Sequence, residues 1–218
     1  MSVVLVVILS LTWYSYEKSK SFKEELGDPA ARDRASREVL GYSSLPEGYH
    51  PMGGFSVPFV MEMAMLSDRE PAPGEAVEGA ADAFRSKGFV FMKTRAFGDR
   101  ARKLREYFDG RRKTSDFFHD VDLEFEVSRG LGRGALDAGG AHVLWVAERG
   151  TMKLGGSKLD EVLARLLIEC PDDGRLRVGM WFTPAPAPAS AKGAAYDGTP
   201  ADPDALGSFL NHFHLCSS

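Results

Sequence analysis

The heptapeptide VDLEFEV at residues 121–127 decides the fold class. Apolar and acidic residues alternate along it without interruption. Successive side chains of a strand point to opposite faces, so this strand buries one face and leaves the other in water. Parallel sheets that are covered by helices need strands that are apolar on both sides. The pattern therefore predicts an antiparallel sheet with one solvated face.

Four further stretches are predicted to be strands, at residues 59–66, 89–94, 142–147 and 175–183. Glycines at 130, 132, 134, 139 and 140 interrupt the chain between residues 127 and 142. A long glycine loop is typical of a hairpin connection. We therefore expect residues 121–127 and 142–147 to pair as a hairpin.

Helix signals occur at five places. Asp28-Pro29 and Asp202-Pro203 each place an N-cap residue before a proline at the first helical position. Amphipathic stretches at residues 75–87 and 100–109 predict two more helices, the second capped by Asp99. At residues 157–170, a Ser-x-x-Asp opening precedes apolar residues at helical spacing, which predicts another helix.

These elements predict an α+β fold. It consists of one largely antiparallel sheet of about five strands with helices packed on one face, preceded by an N-terminal transmembrane helix. The chain divides into an anchor at residues 1–16, a juxtamembrane helix and linker at 17–54, and a globular domain at 55–218. A Pro/Ala-rich loop at 184–201 lies inside that domain. Glycines and prolines between residues 43 and 54 mark the boundary.

The anchor is predicted because no residue from 1 to 16 has a charged side chain. As a helix it spans roughly 24 Å, which is short for a bilayer core of about 30 Å, but bilayer thinning accommodates this mismatch. An interfacial helix and a core helix are the alternatives. The anchor residues are Val3, Val4, Leu5, Val6, Val7, Ile8, Leu9, Leu11, Trp13 and Tyr14.

Orientation follows from Lys18, Lys20 and Lys23, which come directly after the anchor. The positive-inside rule then favours a cytoplasmic C-terminal domain. The opposite, extracytoplasmic placement would expose Cys170 and Cys216 to an oxidising compartment, where they can pair. Both placements remain open.

The composition is that of a globular protein. The chain has 218 residues, a net charge of −4, 44% hydrophobic residues and 27% charged residues. These values argue against wholesale disorder, a collagen-like chain and a polytopic membrane protein. Two cysteines are too few for a disulfide-rich scaffold.

Signals for catalysis are weak. His212 and Cys216 are one helical turn apart, a weak candidate metal pair, but zinc needs three or four ligands. His50, His119 and His142 are scattered along the chain. The glycines from residue 130 lead into a strand, whereas a dinucleotide-binding motif requires a helix there. The sequence predicts no catalytic residue, no metal and no cofactor.

Charge is the strongest functional signal. Residues 85–113 contain eleven basic and three acidic residues in a chain that is acidic as a whole. Such a segment favours contact with anionic lipid or an acidic protein partner, and the pI of 5.8 disfavours nucleic acid. We call its core the basic surface, which comprises Arg100, Arg102, Lys103, Arg105, Arg111, Arg112 and Lys113.

The sequence thus favours a membrane-anchored, non-catalytic binding or scaffold domain with its basic surface at the cytoplasmic face. One alternative is a membrane-tethered hydrolase or metal-dependent enzyme that uses the scattered histidines, which requires at least two of them to meet a carboxylate in one pocket. The other is a structural module of an envelope assembly.

Overall fold

The computed structural model describes residues 27–57, 60–72, 75, 83–95, 99–112, 124–154, 157–171, 174–187 and 196–216. Its helices are α1 (Pro29–Leu40), α2 (Arg100–Phe108) and α3 (Pro203–Leu210). Its strands are β1 (His50–Val57), β2 (Met61–Ser67), β3 (Gly88–Arg95), β4 (Phe125–Ala138), β5 (Ala141–Leu154), β6 (Ser157–Glu169) and β7 (Arg175–Pro184).

The strands form one sheet with the order β1-β2-β3-β7-β6-β5-β4. Every neighbouring pair is antiparallel. One meander, β1 to β3, meets a second meander, β4 to β7, where β3 pairs with β7. Strands β1 and β4 are the two edges.

Both faces of the sheet are buried. On the first face, α1 and α3 pack over a cluster that includes Phe89, Leu166 and Trp181. On the second face, α2 packs over a cluster that includes Val178 and Met180. The prediction of about five strands with helices on one face is therefore wrong. The central strands β6 and β7 are apolar at successive positions, so they need cover on both sides.

The helix predicted over residues 157–170 is wrong, because residues 157–169 form strand β6. Its apolar residues come in runs, so they satisfy helical spacing and also fill both faces of a strand. Periodicity alone cannot separate these cases. The continuous antiparallel register of β6 with β5 and β7 decides for the strand, because it satisfies the backbone hydrogen bonds on both of its sides.

The long glycine loop predicted between residues 127 and 142 is also wrong, because most of it belongs to strand β4. It runs through Gly132 and Gly134 and turns only at Gly139-Gly140, where both residues have positive φ. The indole of Trp145 on β5 lies across the strand, and a Cβ at Gly132 or Gly134 would come within 3.2 Å of it. These glycines make room for a tryptophan. Strands β4 and β5 do form a hairpin, but the predicted pairing is wrong: residues 142–147 pair with residues 132–137, inside the predicted loop, and residues 125–127 pair with residues 150–152.

The N-terminal part of the described chain belongs to the sheet. Ala31, Val39 and Leu40 of helix α1 are buried, and Val39 and Leu40 belong to the first-face core. Strand β1 lies where a loop was predicted at residues 43–54, and the predicted domain boundary falls inside this strand. Gly54 allows the close approach, since a Cβ there would lie 2.9 Å from the carbonyl oxygen of Ala35 in α1.

The predicted transmembrane helix has no counterpart in the part of the chain that the structure describes. Within the described ranges, no helix combines the length and apolar character needed to cross a bilayer. Residues 1–16, with all ten anchor residues, lie outside the described residues. Most of the helix predicted at 75–87 also lies outside them.

Helix α3 is held by aromatic packing on the first face. Phe209 stacks on Trp181 with ring centroids 4.3 Å apart, and Trp181 Nε1 donates a hydrogen bond of 2.7 Å to the hydroxyl of Tyr49. Such ring pairs add about 0.5–1.5 kcal/mol beyond the area that they bury. The packing supplies what α3 needs, because a helix of eight residues is too short to be stable by itself.

Substituting Gly54 tests the contact between α1 and the sheet. We expect Gly54→Ala to lower the free energy of unfolding by about 1–3 kcal/mol, because the new methyl group meets backbone atoms that cannot rotate away. Gly207→Ala in α3 is the control, since its Cβ would meet open space and alanine favours a helix by about 1 kcal/mol. Urea titration measures both changes. Equal stability of the two variants would contradict this account.

Candidate binding surface

Helix α2 presents the basic surface. Leu104, Tyr107 and Phe108 point into the second-face core at three- and four-residue spacing. The remaining positions of the helix, which carry its arginines and lysine, therefore face solvent. Arg102, Lys103 and Arg105 have side chains that are 63%, 47% and 56% exposed. Lys113 lies outside the described residues.

Carboxylates accompany most of these cations. Arg102 pairs with Asp99 and Glu106, and Lys103 pairs with Asp99 at 2.7 Å. The sequence predicted Asp99 as a helix cap, but its side chain makes no capping hydrogen bond. The Asp99 carboxylate instead accepts a hydrogen bond from the Lys103 ammonium, and this hydrogen bond lowers the pKa of Asp99.

Two further pairs connect the surface to its surroundings. Arg105 reaches Glu169 at the end of β6, with Nη2 2.8 Å from Oε2. Arg111 pairs with Asp109 just after the helix. Among the described residues, neither Arg100 nor Arg112 forms an ion pair.

A positive excess remains after these pairs. The six described members of the basic surface face four carboxylates, which leaves a local charge of +2. Exposed pairs of this kind contribute about 0–1 kcal/mol each and exchange partners readily. The basic surface is therefore positive and free to regroup around an incoming anion.

Arg133 on β4 extends the positive region. Its Nη1 donates a 3.5 Å hydrogen bond to the backbone carbonyl of Tyr107, and its guanidinium passes close to Gly110 after α2. Below the surface, the largely buried pair of Arg165 and Glu148 lies under the helix, with Arg165 Nη1 3.4 Å from the Tyr107 hydroxyl. Arg133 could not be identified from the sequence, because α2 and β4 meet only in the folded chain.

The histidines do not converge. His142 lies in an open cleft, where Nδ1 is 2.8 Å from Oδ1 of Asp137 and Glu169 is its partner on β6. His50 lines a different cleft beside α1. His119 lies outside the described residues. In the described chain, no group of three or more histidine, cysteine or acidic side chains is arranged to hold a metal ion.

The two cysteines form a disulfide. Cys170 follows β6, Cys216 follows α3, and their Cα atoms are 5.5 Å apart. Cys216 therefore has no thiolate to offer the candidate pair with His212. The bridge ties the C-terminal segment to the end of the sheet, where Leu215 also donates a backbone hydrogen bond to Gly139. With only two cysteines, the sequence allowed this pairing but did not require it.

Glu161 is a buried carboxyl group that the sequence did not single out. It is 1% exposed on the second face of β6, and its Oε2 has no hydrogen-bond partner among the described residues. Burial raises the pKa of Glu161 to about 8, and the charges of Asp68 and Asp160 act in the same direction. The group is therefore protonated at neutral pH.

Comparison with known proteins adds no assignment: no family model, no curated protein and no solved structure matches this chain.

The Glu161 carboxyl group predicts a pH dependence of stability. Its pKa is higher in the folded state than in the unfolded chain, so the unfolded state holds fewer protons between about pH 4.5 and 8. We expect the free energy of unfolding to fall as pH rises through this window, by up to about 1.4 kcal/mol per pH unit. Glu161→Gln should flatten the slope, whereas Glu38→Gln at an exposed site of α1 should not. Urea titrations at a series of pH values measure the slopes; a slope that survives Glu161→Gln contradicts the assignment.

Removing the disulfide should also destabilise the fold. The bridge joins residues 46 positions apart, and closing a loop of that length stabilises the folded state by about 4 kcal/mol in the chain-entropy treatment. We expect the variant Cys170→Ser/Cys216→Ser to unfold at a lower urea concentration, with a free energy of unfolding about 4 kcal/mol smaller than that of the natural protein. Adding a reducing agent should lower the stability of the natural protein and leave the double variant unchanged. A reductant effect of equal size on both proteins would show that the bridge is not its cause.

Proposed function

We propose that this protein is a non-catalytic binding domain whose basic surface contacts an acidic partner protein. The observation that carries the proposal is the positive excess on the exposed side of α2, which persists after its ion pairs are counted. The rest of the chain is acidic, so this charge is concentrated at one place. Complementary charge of this kind raises association rates and selects partners.

The arrangement suits binding more than catalysis. Arg100 and Arg112 have no competing carboxylate among the described residues, and the paired cations need only exchange one acidic group for another. The hydrolase hypothesis required at least two histidines and a carboxylate in one pocket, a condition that His50 and His142 do not meet. No observation favours a purely structural module over a binding domain.

The disulfide supports an oxidising compartment for the domain. Such bridges persist in secreted and envelope proteins and are rare in the cytosol. We therefore propose the extracytoplasmic placement, which the sequence left as the alternative, in place of the cytoplasmic one. In that setting, an acidic protein is the simpler partner, and anionic lipid becomes a comparison in the test.

Charge reversal tests the proposal. The triple variant Arg100→Glu/Arg102→Glu/Lys103→Glu should lose roughly tenfold or more of its affinity for poly-L-glutamate at low salt, because it inverts the charge of the basic surface. Affinity of the natural protein should fall as salt is added. Fluorescence anisotropy of labelled poly-L-glutamate measures both effects.

The control carries the same change of net charge elsewhere. Arg34→Glu/Arg129→Glu/Lys158→Glu alters three exposed residues that lie away from α2. It should bind poly-L-glutamate nearly as the natural protein does. Equal losses in both triple variants would mean that net charge alone drives binding. Binding to vesicles containing phosphatidylglycerol, with none to poly-L-glutamate, would redirect the proposal to lipid.

A further inference from the structure

We infer that the outer edge of β4 is the docking site for an extended acidic segment of the partner protein, which joins the sheet as an additional strand. The inference rests on the proposed function and gives it a binding mode. Strand addition uses backbone hydrogen bonds for affinity and alternate side chains for specificity. Each of these needs a counterpart on the protein, and β4 provides both.

The backbone requirement is met by the position of β4. It is the last strand of the sheet, and it pairs only with β5 among the strands that the structure describes. In an antiparallel pair, alternate residues of an edge strand direct their N–H and C=O groups away from the neighbour. The outer side of β4 is therefore a row of backbone donors and acceptors without a strand partner.

Only the second half of β4 is regular enough to accept a strand. The register with β5 shifts between Val127 and Arg129 and again between Gly130 and Gly132. Bulges of this kind protect an edge against unwanted pairing. Residues 132–138 continue in unbroken register and are mostly small, with glycines or alanines at four of the seven positions. The open docking edge is this segment.

Charge beside this segment selects an acidic occupant. Arg133 is exposed, and its guanidinium lies against Tyr107 and Gly110 at the end of α2, where Gly110 directly precedes Arg111 and Arg112 in the chain. A residue placed opposite Arg133 on a docked strand would share the second face with these cations, so a carboxylate is favoured there. Asp137, 87% exposed at the end of β4, disfavours a carboxylate opposite itself. The expected segment is acidic where it passes α2 and neutral or basic near the β4–β5 turn.

A second copy of this chain is the competing occupant. Two copies of β4 that pair antiparallel about Ala135 would place Arg133 of each copy opposite Asp137 of the other. An acidic segment of another protein is the occupant that the proposed function requires. Analytical ultracentrifugation of the natural protein without peptide separates the two: a dimer that Arg133→Glu dissociates would overturn the choice of occupant.

A backbone-modified peptide tests the inference on the full chain. The probe is a short synthetic peptide of alternating glutamate and valine in which lysine replaces the first glutamate, the residue that lies opposite Asp137 when the peptide docks antiparallel to β4. It is compared with two versions that are N-methylated on every second residue, one version for each edge. We expect the parent peptide to bind. One methylated version should lose roughly tenfold or more in affinity, and the other should bind like the parent, because a docked strand uses one edge only. Isothermal titration calorimetry measures the three affinities.

Two failures are distinguishable. If the parent peptide and both methylated versions bind equally, charge alone is recognised, and the docking mode is overturned while the proposed function stands. If the parent peptide does not bind and poly-L-glutamate does not bind either, both proposals fail.

Variants of β4 supply the second readout. Arg133→Glu should lower the affinity for the parent peptide by roughly tenfold. Arg129→Glu, which lies on the opposite face in the bulged half of β4, should change this affinity little. Hydrogen exchange should slow at residues 132–138 when the peptide is bound, because their outward N–H groups acquire acceptors. Slowing elsewhere in the sheet with none in this segment would overturn the docking site even if the affinities behave as expected.

Discussion

The burial of both faces of the sheet is the constraint on which the structure depends. Strands β6 and β7 are apolar at successive positions, so neither face can be left in water without exposing leucine, valine or aromatic side chains. Helices α1 and α3 cover one face, and α2 covers part of the other. Because α2 has to contribute only a narrow apolar stripe, the rest of its circumference is free to carry charge. The fold itself thus concentrates the basic residues in an exposed position.

The two edge strands of the sheet differ in how they are covered. At one edge, β1 is packed by α1, and Gly54 allows their backbones to approach closely. At the other edge, β4 has irregular pairing in its first half and an open, regular second half next to the end of α2. The disulfide and the aromatic contacts of α3 hold the C-terminal segment in place near the β4–β5 turn. A sheet with one open edge beside the basic surface is the arrangement on which the proposed recognition of an extended acidic chain rests.

Elements whose signals are local were predictable. The caps at Asp28 and Asp202 placed α1 and α3, and the amphipathic stripe of α2 identified both its buried side and its basic side. Strand β6 was missed because its runs of leucine and valine satisfy two periods at once. The part of β4 beyond Val127 was missed because its glycines are typical of loops, and only the indole of Trp145 explains Gly132 and Gly134. Of the candidate site, α2 could be identified from sequence, whereas Arg133 could not.

The sequence by itself determined which segments carry positive charge, where α1, α2 and α3 begin and that the chain forms an antiparallel sheet, because charge, capping and alternation act between residues close in the chain. The tertiary structure alone decided that both sheet faces are covered, that Cys170 meets Cys216 and that Glu161 is buried near other carboxylates. These outcomes depend on contacts between residues far apart in sequence. Such contacts leave no pattern among neighbouring residues, because they depend on which strands lie next to each other in the sheet.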